Sequence, residues 1–151
     1  MVFTVETWTE VHRDPGGHGH HWTIALGTLD RGTIAFADCV VFRARDGRQL
    51  SSRVLGVAGR EILALPIAAS DLRGRRLALC LWAPAYGDHL LAGGQQLIGC
   101  DESTHRAITR DLVLGGWPWC PCSDCCKALR PLLGDDPALW SSVHWLHPAG
   151  D

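Results

Sequence analysis

The hydrophobic pattern of this chain changes its period near residue 100, which divides the sequence into two unlike parts. Before residue 100, short apolar runs alternate with polar residues and end at turn-forming residues, as is typical of β-strands. After residue 100, apolar residues recur every three or four positions, as is typical of helices. The sequence therefore predicts an α+β fold, with a mainly antiparallel β-sheet in residues 1–99 and two short helices near the C-terminus.

The clearest strand signal is a hairpin. Val40, Phe42 and Ala44 alternate with other residues, and Asp46-Gly47 then supplies a strong turn into a partner strand over residues 49–55. The other predicted strands cover residues 2–11, 61–67, 76–82 and 95–99, with a last one at 140–146. No repeat, charge run or low-complexity linker interrupts the pattern, so residues 1–151 are predicted to form a single domain.

The first helix is predicted to follow residue 100, with Ala107, Ile108 and Leu112 on one face and a stop at Gly115-Gly116. The second helix has five side chains at the helical spacing i, i+3, i+4, i+7 and i+8. They are Cys125, Ala128, Leu129, Leu132 and Leu133. Pro131 lies in this stretch and predicts an end or a kink near Arg130.

Composition and charge narrow the class of protein. The net charge is −2, so non-specific nucleic-acid binding is not expected, and the arginines at 43–53 and 73–76 are interpreted as solvated loop and hairpin positions. No apolar run is long enough to cross a bilayer, and the N-terminus lacks the features of a signal peptide. We therefore expect no membrane partner and a cytoplasmic location.

Seven cysteines are unlikely to form a disulfide framework in a reducing compartment. Four of them lie within residues 120–126, and such clustering indicates metal ligation or redox chemistry. Cys39 and Cys80 lie in apolar strand patterns and are interpreted as core residues, because a free cysteine behaves as a small hydrophobe.

Three cysteines have the spacing of a zinc site that is built on the starts of two helices. Cys122 and Cys125 are three positions apart where the second helix begins, and thiolates are favoured at a helix N-terminus. Cys100 opens the other helix and reaches the same ion if the two helices pack side by side. Glu102 then lies beside the metal without ligating it, where a carboxylate can move the proton of a metal-activated water.

These residues resemble the motifs of the zinc-dependent cytidine deaminase superfamily, which are His or Cys, any residue and Glu, followed by Pro-Cys-x-x-Cys. The matching residues lie between 100 and 126: Cys100-Asp101-Glu102 corresponds to the first motif, and the segment 121–125 to the second. The resemblance implies that Cys100, Cys122 and Cys125 hold Zn²⁺ and that Glu102 is the catalytic proton shuttle. It implies hydrolytic deamination of a nucleobase, a nucleoside or a related small heterocycle. It also implies that a helix and then a strand lie between the two motifs.

Two other interpretations stay open. Three cysteines of the 120–126 cluster, together with Cys100 or a histidine, would form a closed structural site that staples a non-catalytic β-rich binding domain. Alternatively, the chain is a thiol redox or metal-handling protein, in which Cys125 forms a disulfide with Cys120 or Cys122. The role of Cys126, the substrate and the oligomeric state are not fixed by the sequence.

Histidines and tryptophans supply further candidates. The His18–His21 cluster is interpreted as an exposed polar loop, with transition-metal binding as the alternative. His144 and His147 are interpreted as buried, hydrogen-bonded residues, with metal ligation or substrate contact as the alternative. His105 is a candidate for lining a pocket near Glu102. The tryptophans near the cysteines, at 117, 119, 140 and 145, suit either core packing or the stacking of a planar ring.

Overall fold

The computed structural model describes residues 1–10, 22–58, 66–82, 91–119 and 123–145. The strands in these residues are β1 (Val2–Glu10), β2 (Trp22–Arg31), β3 (Thr33–Ile34), β4 (Cys39–Arg43), β5 (Gln49–Ala58), β6 (Ile67–Ala68), β7 (Arg76–Trp82), β8 (Gln96–Cys100), β9 (Pro118–Trp119) and β10 (His144–Trp145). The helices are α1 (Ala69–Leu72), α2 (Glu102–Leu114), α3 (Ser123–Leu133) and α4 (Pro137–Ser142).

Six strands form a closed barrel in the order β1-β2-β7-β5-β4-β8, and β8 pairs with β1 to close it. Every neighbouring pair in the barrel is antiparallel, which confirms the expected mixed α+β class and the antiparallel sheet. The hairpin between β4 and β5 turns where the sequence predicted, and Gly47 supplies the positive φ of 86° that the turn requires. The closure of the sheet was not predicted.

The barrel interior is filled by alternate side chains of its strands, because successive residues of a strand point to opposite faces. These inward side chains are at most 4% exposed: Phe3, Val5, Ala25, Leu29, Val40, Phe42, Leu50, Val54, Leu77, Leu79, Leu81 and Leu97. The residues between them face outward, and on β4, β5 and β8 this outer face meets α2 or the start of it.

Helix α2 begins directly after β8, because the Asp101 carboxylate accepts the Thr104 backbone N–H at 2.7 Å and caps the first turn. It ends before Gly115 and Gly116, as predicted. Its buried face differs from the prediction, since Ala107 is exposed. The side chains that pack inward are His105, Ile108, Thr109, Leu112 and Val113. They have the spacing i, i+3, i+4, i+7 and i+8 of one helical face, and a histidine and a threonine occupy two of these buried positions.

The C-terminal part departs from two predictions. Of the end or kink predicted near Arg130, the end is wrong, because helix α3 continues through Pro131 to Leu133. In the predicted strand over residues 140–146, residues 140–142 instead belong to helix α4, which Asp136 caps by accepting the Ala138 N–H at 3.0 Å. The short β10 is a strand, as predicted, and it pairs in parallel with β9. The missed signal was an aspartate followed by proline, which favours a helix start.

Most of the predicted strand over residues 61–67 lies outside the described residues, and only its end is seen in β6. Within the described parts of the chain, no helix has both the length and the apolar character needed to cross a bilayer.

Candidate functional site around Glu102

Three strands bring a row of polar side chains to the foot of α2. In the register of the barrel, Arg53 on β5 lies opposite Cys39 on β4, and Cys39 lies opposite Cys100 on β8. All three point to the outer face, because the inward positions next to them are held by core residues such as Val40. The row therefore ends at the residue from which the chain enters α2.

Glu102 is the first residue of α2 and lies over this row. Its Oε1 accepts from Arg53 Nη2 at 2.7 Å, and its Oε2 accepts from Arg53 Nη1 at 3.2 Å. The Cys39 thiol also donates to Oε2, at 3.3 Å. Arg53 is held from a second side by the Ala37 carbonyl, which accepts from Nη1 at 3.2 Å. The carboxylate is thus bound on both oxygens by a planar fork of donors.

The electrostatics of the row follow from this pairing. The hydrogen bonds from Arg53 are the main reason that the pKa of Glu102 lies below its ordinary value. Burial, helped by the hydrogen bond to Glu102, raises the pKa of the Cys39 thiol to about 12. Burial and the nearby Asp101 carboxylate raise the pKa of Cys100. Both thiols are therefore protonated at neutral pH in this arrangement, and Glu102 is ionised.

His105 lies on α2 about one turn after Glu102, on the buried face of the helix. It is fully buried, and its Nδ1 lies 2.8 Å from the Ser51 hydroxyl of β5. Its Nε2 is buried and has no hydrogen-bond partner. Burial lowers the pKa of His105 to about 4, and the Arg53 charge adds to this effect, so the ring is neutral at physiological pH. His105 packs between helix and barrel rather than lining an open cleft.

The other ligands predicted from the sequence are only partly described. Cys125 lies in the first turns of α3 and is fully buried, and α3 packs against α2. Cys120 and Cys122 lie outside the described residues, as do the His18–His21 cluster and His147. In the part of the chain that the structure describes, no three His, Cys, Asp or Glu side chains are grouped closely enough to hold a metal ion. The complete set Cys100, Cys122 and Cys125 therefore stays a prediction.

The tryptophans near the cysteines pack against the hydrophobic core rather than being exposed on the surface. Trp119 is 1% exposed and stacks on Trp82 with ring centroids 5.9 Å apart. Trp117 is buried beneath the Arg48 guanidinium, whose Cζ lies 5.2 Å from the ring centroid. In contrast, His144 is exposed, which corrects its interpretation as a buried residue.

Sequence reasoning missed the partners of Glu102. Arg53 was assigned to solvated hairpin positions, yet it makes the ion pair. Cys39 is buried, as expected of a core residue, but its thiol also contacts the carboxylate, which was not predicted. The hairpin turn was a usable signal, because a fixed turn sets which residues of β4 and β5 lie opposite each other. The pairing of Cys39 with Cys100 carried no such local signal, since β4 and β8 are far apart in the chain.

Comparison of the chain with protein-family models, with curated proteins and with solved structures finds no match.

Proposed function

We propose that this protein is a zinc-dependent hydrolase of the deaminase type, with its site between the start of α2 and the start of α3. The observation that supports the proposal is the order of elements around the motif residues. Cys100 ends β8, Glu102 opens α2, the short strand β9 follows, and Cys125 lies in the first turns of α3. This helix-then-strand order is the one that the resemblance to cytidine deaminases implies between its two motifs.

The donor set fits zinc by its chemistry. Cys100, Cys122 and Cys125 would supply three thiolates, and zinc sites that keep a fourth position open for water are the catalytic kind. When bound, zinc supplies a water molecule that loses its proton near neutral pH. Binding would also deprotonate Cys100, whose thiol is otherwise kept neutral by burial, so zinc binding releases protons.

Glu102 is the group that would carry protons between this water and the substrate. In the conformation described, both of its oxygens are bound by Arg53, and the pKa of a general acid needs to be higher than this pairing allows. Catalysis therefore requires Arg53 to release at least one oxygen when substrate binds. The substrate class is a planar ring with an exocyclic amino group on an amidine carbon, such as a nucleobase or nucleoside.

The test is a metal count followed by an ammonia assay. We expect one zinc per purified, reduced chain, and ammonia release from at least one member of a panel of cytosine- and adenine-type bases and nucleosides. Glu102→Gln should retain zinc and abolish ammonia release. Glu6→Gln is the matched control, because Glu6 also pairs with an arginine, Arg76, but on the barrel surface away from α2. Absence of zinc, or activity that survives Glu102→Gln, would refute the proposal.

A second candidate is a non-catalytic binding domain in which the cysteines form a structural zinc site. The Arg53–Glu102 ion pair favours it, because a carboxylate held on both oxygens connects α2 to the barrel without any need for chemistry. In this case Glu102→Gln lowers stability but changes no assay of ammonia release, and Cys122→Ala unfolds the C-terminal part. Both candidates therefore predict that Glu102→Gln retains zinc, and only the hydrolase predicts that this substitution abolishes ammonia release.

A further inference from the structure

The strongest unassigned feature outside the proposed zinc chemistry is the pair of thiols on neighbouring strands. Cys39 on β4 and Cys100 on β8 lie directly opposite each other in an antiparallel register. Opposed residues in such a ladder have Cα atoms about 4.5–5.5 Å apart. A disulfide requires Cα atoms about 4.4–6.8 Å apart, so the backbone is already in range.

The side chains share the same face as well as the same register. Their strand neighbours Val40 and Leu97 are fully buried in the barrel, which directs Cys39 and Cys100 to the outer face. Cys39 donates to the Glu102 carboxylate, and Cys100 is two residues before Glu102 in the chain, so both cysteines lie at the start of α2. Neither forms a disulfide in this structure.

From this geometry we propose that Cys39 and Cys100 are a reversible oxidation site, which forms a cross-strand disulfide by exchange with a small-molecule disulfide such as oxidised glutathione. The proposal does not rest on the proposed hydrolase function, but a Cys100 that holds zinc cannot form the disulfide, so the two describe alternative states of the same residue and the test is run without metal. It extends the thiol redox interpretation to a pair that does not include the 120–126 cysteines.

The exchange proceeds in two balanced steps. Cys100, the more exposed of the two, loses its proton and its sulfur bonds to one sulfur of the glutathione disulfide. The glutathione S–S bond breaks, and one glutathione leaves as a thiol with that proton. The Cys39 sulfur then bonds to the Cys100 sulfur, and the second glutathione leaves with the Cys39 proton. Two cysteines are oxidised, and one glutathione disulfide is reduced.

The structure also indicates which cysteine resolves the intermediate. Cys39 is 5% exposed, so an external disulfide reaches it poorly, whereas Cys100 is the residue directly opposite it in the ladder. The Cys39 S–H is oriented by its hydrogen bond to the Glu102 carboxylate. Glu102 keeps its bonds to Arg53 after the disulfide forms, so the start of α2 stays attached to the barrel.

The experiment is oxidation of the purified full-length chain with oxidised glutathione in the presence of a chelator, followed by non-reducing peptide mapping. Trypsin releases Cys39 in the peptide 32–43 but leaves Cys80 and Cys100 together in 77–106. A second protease that cuts before aspartate separates them into 77–87 and 88–100, and it shortens the Cys39 peptide to 38–43. After both digestions we expect 38–43 to be joined to 88–100, and dithiothreitol to release it.

Three variants sharpen the result. Cys39→Ser and Cys100→Ser should each abolish the cross-link, and Cys39→Ser should accumulate glutathione on Cys100. Cys80→Ser is the matched control, because Cys80 is also a buried strand cysteine but lies on β7, and it should leave the cross-link unchanged. If a variant fails to fold, the peptide map of the oxidised wild-type protein still tests the proposal. Cys39 remaining a thiol while Cys100 pairs with a cysteine of 120–126 would overturn the proposal.

Discussion

Arg53 donates to both carboxylate oxygens of Glu102, and this pair joins the outer face of β5 to the first residue of α2. The Arg53 and Glu102 side chains are 26% and 49% exposed, so the pair is partly shielded but still reached by solvent. The same carboxylate accepts the Cys39 thiol, which adds a contact from β4. The foot of the helix is thus fixed to two barrel strands by one side chain.

Replacing the cation of this pair tests its contribution to stability. Because Glu102 is about half exposed, we expect Arg53→Gln to lower the free energy of unfolding at pH 7 by only about 1 kcal/mol, as measured by urea denaturation. The folded-state pKa of Glu102 is below its ordinary 4.5, so the contribution is complete above pH 4.5 and is lost as the pH falls through the folded-state pKa. The wild-type and variant proteins should therefore converge in acid.

The control for this variant is Arg76→Gln, which removes a barrel-surface ion pair with Glu6 whose side chains are 57% and 45% exposed. We expect a change within about 0.5 kcal/mol. An equal loss in both variants would show that Arg53 contributes no more than an ordinary surface arginine.

The buried His105 predicts a second pH dependence. Its pKa is about 4 in the folded chain and 6.5 when exposed, so between these values the unfolded chain binds the extra proton. Stability is therefore complete above pH 6.5 and falls by roughly 3 kcal/mol as the pH drops to 4. Denaturation of His105→Gln over this range should show a much shallower slope, and an unchanged slope would contradict the assignment.

The contact between His105 and Ser51 can be measured by a double-mutant cycle. Ser51→Ala leaves a buried imidazole nitrogen without its hydroxyl partner, which we expect to cost about 1–3 kcal/mol. In the background of His105→Leu, Ser51→Ala should cost much less, because the ring nitrogen that would lose its hydrogen-bond partner is already absent. Additive losses in the cycle would mean that the two side chains do not interact.

Gly27 tests the packing of the barrel. A Cβ at this position of β2 would overlap the Thr4 carbonyl oxygen and come within 2.9 Å of Phe3 Cε1. Gly27→Ala should therefore cost about 3 kcal/mol or more in the free energy of unfolding. Gly56→Ala is the matched control, since a Cβ there meets nothing within 4 Å, and it should be tolerated. Similar losses for the two variants would argue against the close approach of β1 and β2.

The two adjacent cysteines of α3 separate metal ligation from packing. Cys125 is fully buried and is the predicted ligand, whereas Cys126 is half-buried and is not part of the motif. We expect Cys125→Ser to lose bound zinc and Cys126→Ser to retain it, as measured by elemental analysis of the purified proteins. Serine in a buried site lowers stability by itself, so metal content decides the result. Full zinc retention in Cys125→Ser would remove this residue from the ligand set.

Local patterns in the sequence were sufficient for much of the barrel. The apolar run over residues 76–82 predicted β7, and the Asp46-Gly47 turn predicted the hairpin. These signals depend on residues close together in the chain. Closure of the barrel depends on β8 finding β1 and β4, and no local pattern specifies which distant strands pair.

The site was predictable only on its helical side. Glu102 was expected in the first turn of a helix because the predicted strand over residues 95–99 leads into Cys100 and a helical pattern follows. Its interaction with Arg53 required the register of β5 against the rest of the barrel, and an arginine in a hairpin is usually solvated. Similarly, Pro131 argues locally against a helix, but the packing of Leu129, Leu132 and Leu133 overrides it.

The pairing of β1 with β8 has a consequence for how the chain folds. Val2 lies beside both Arg31 and Ile98, so one edge of β1 stays unpaired until β8, which is far along the chain from β2, is in place. An exposed strand edge is a template for pairing with other chains. A chain that has paired β1 with β2 but not yet with β8 is therefore the form most vulnerable to aggregation, and the pairing of β8 ends this exposure.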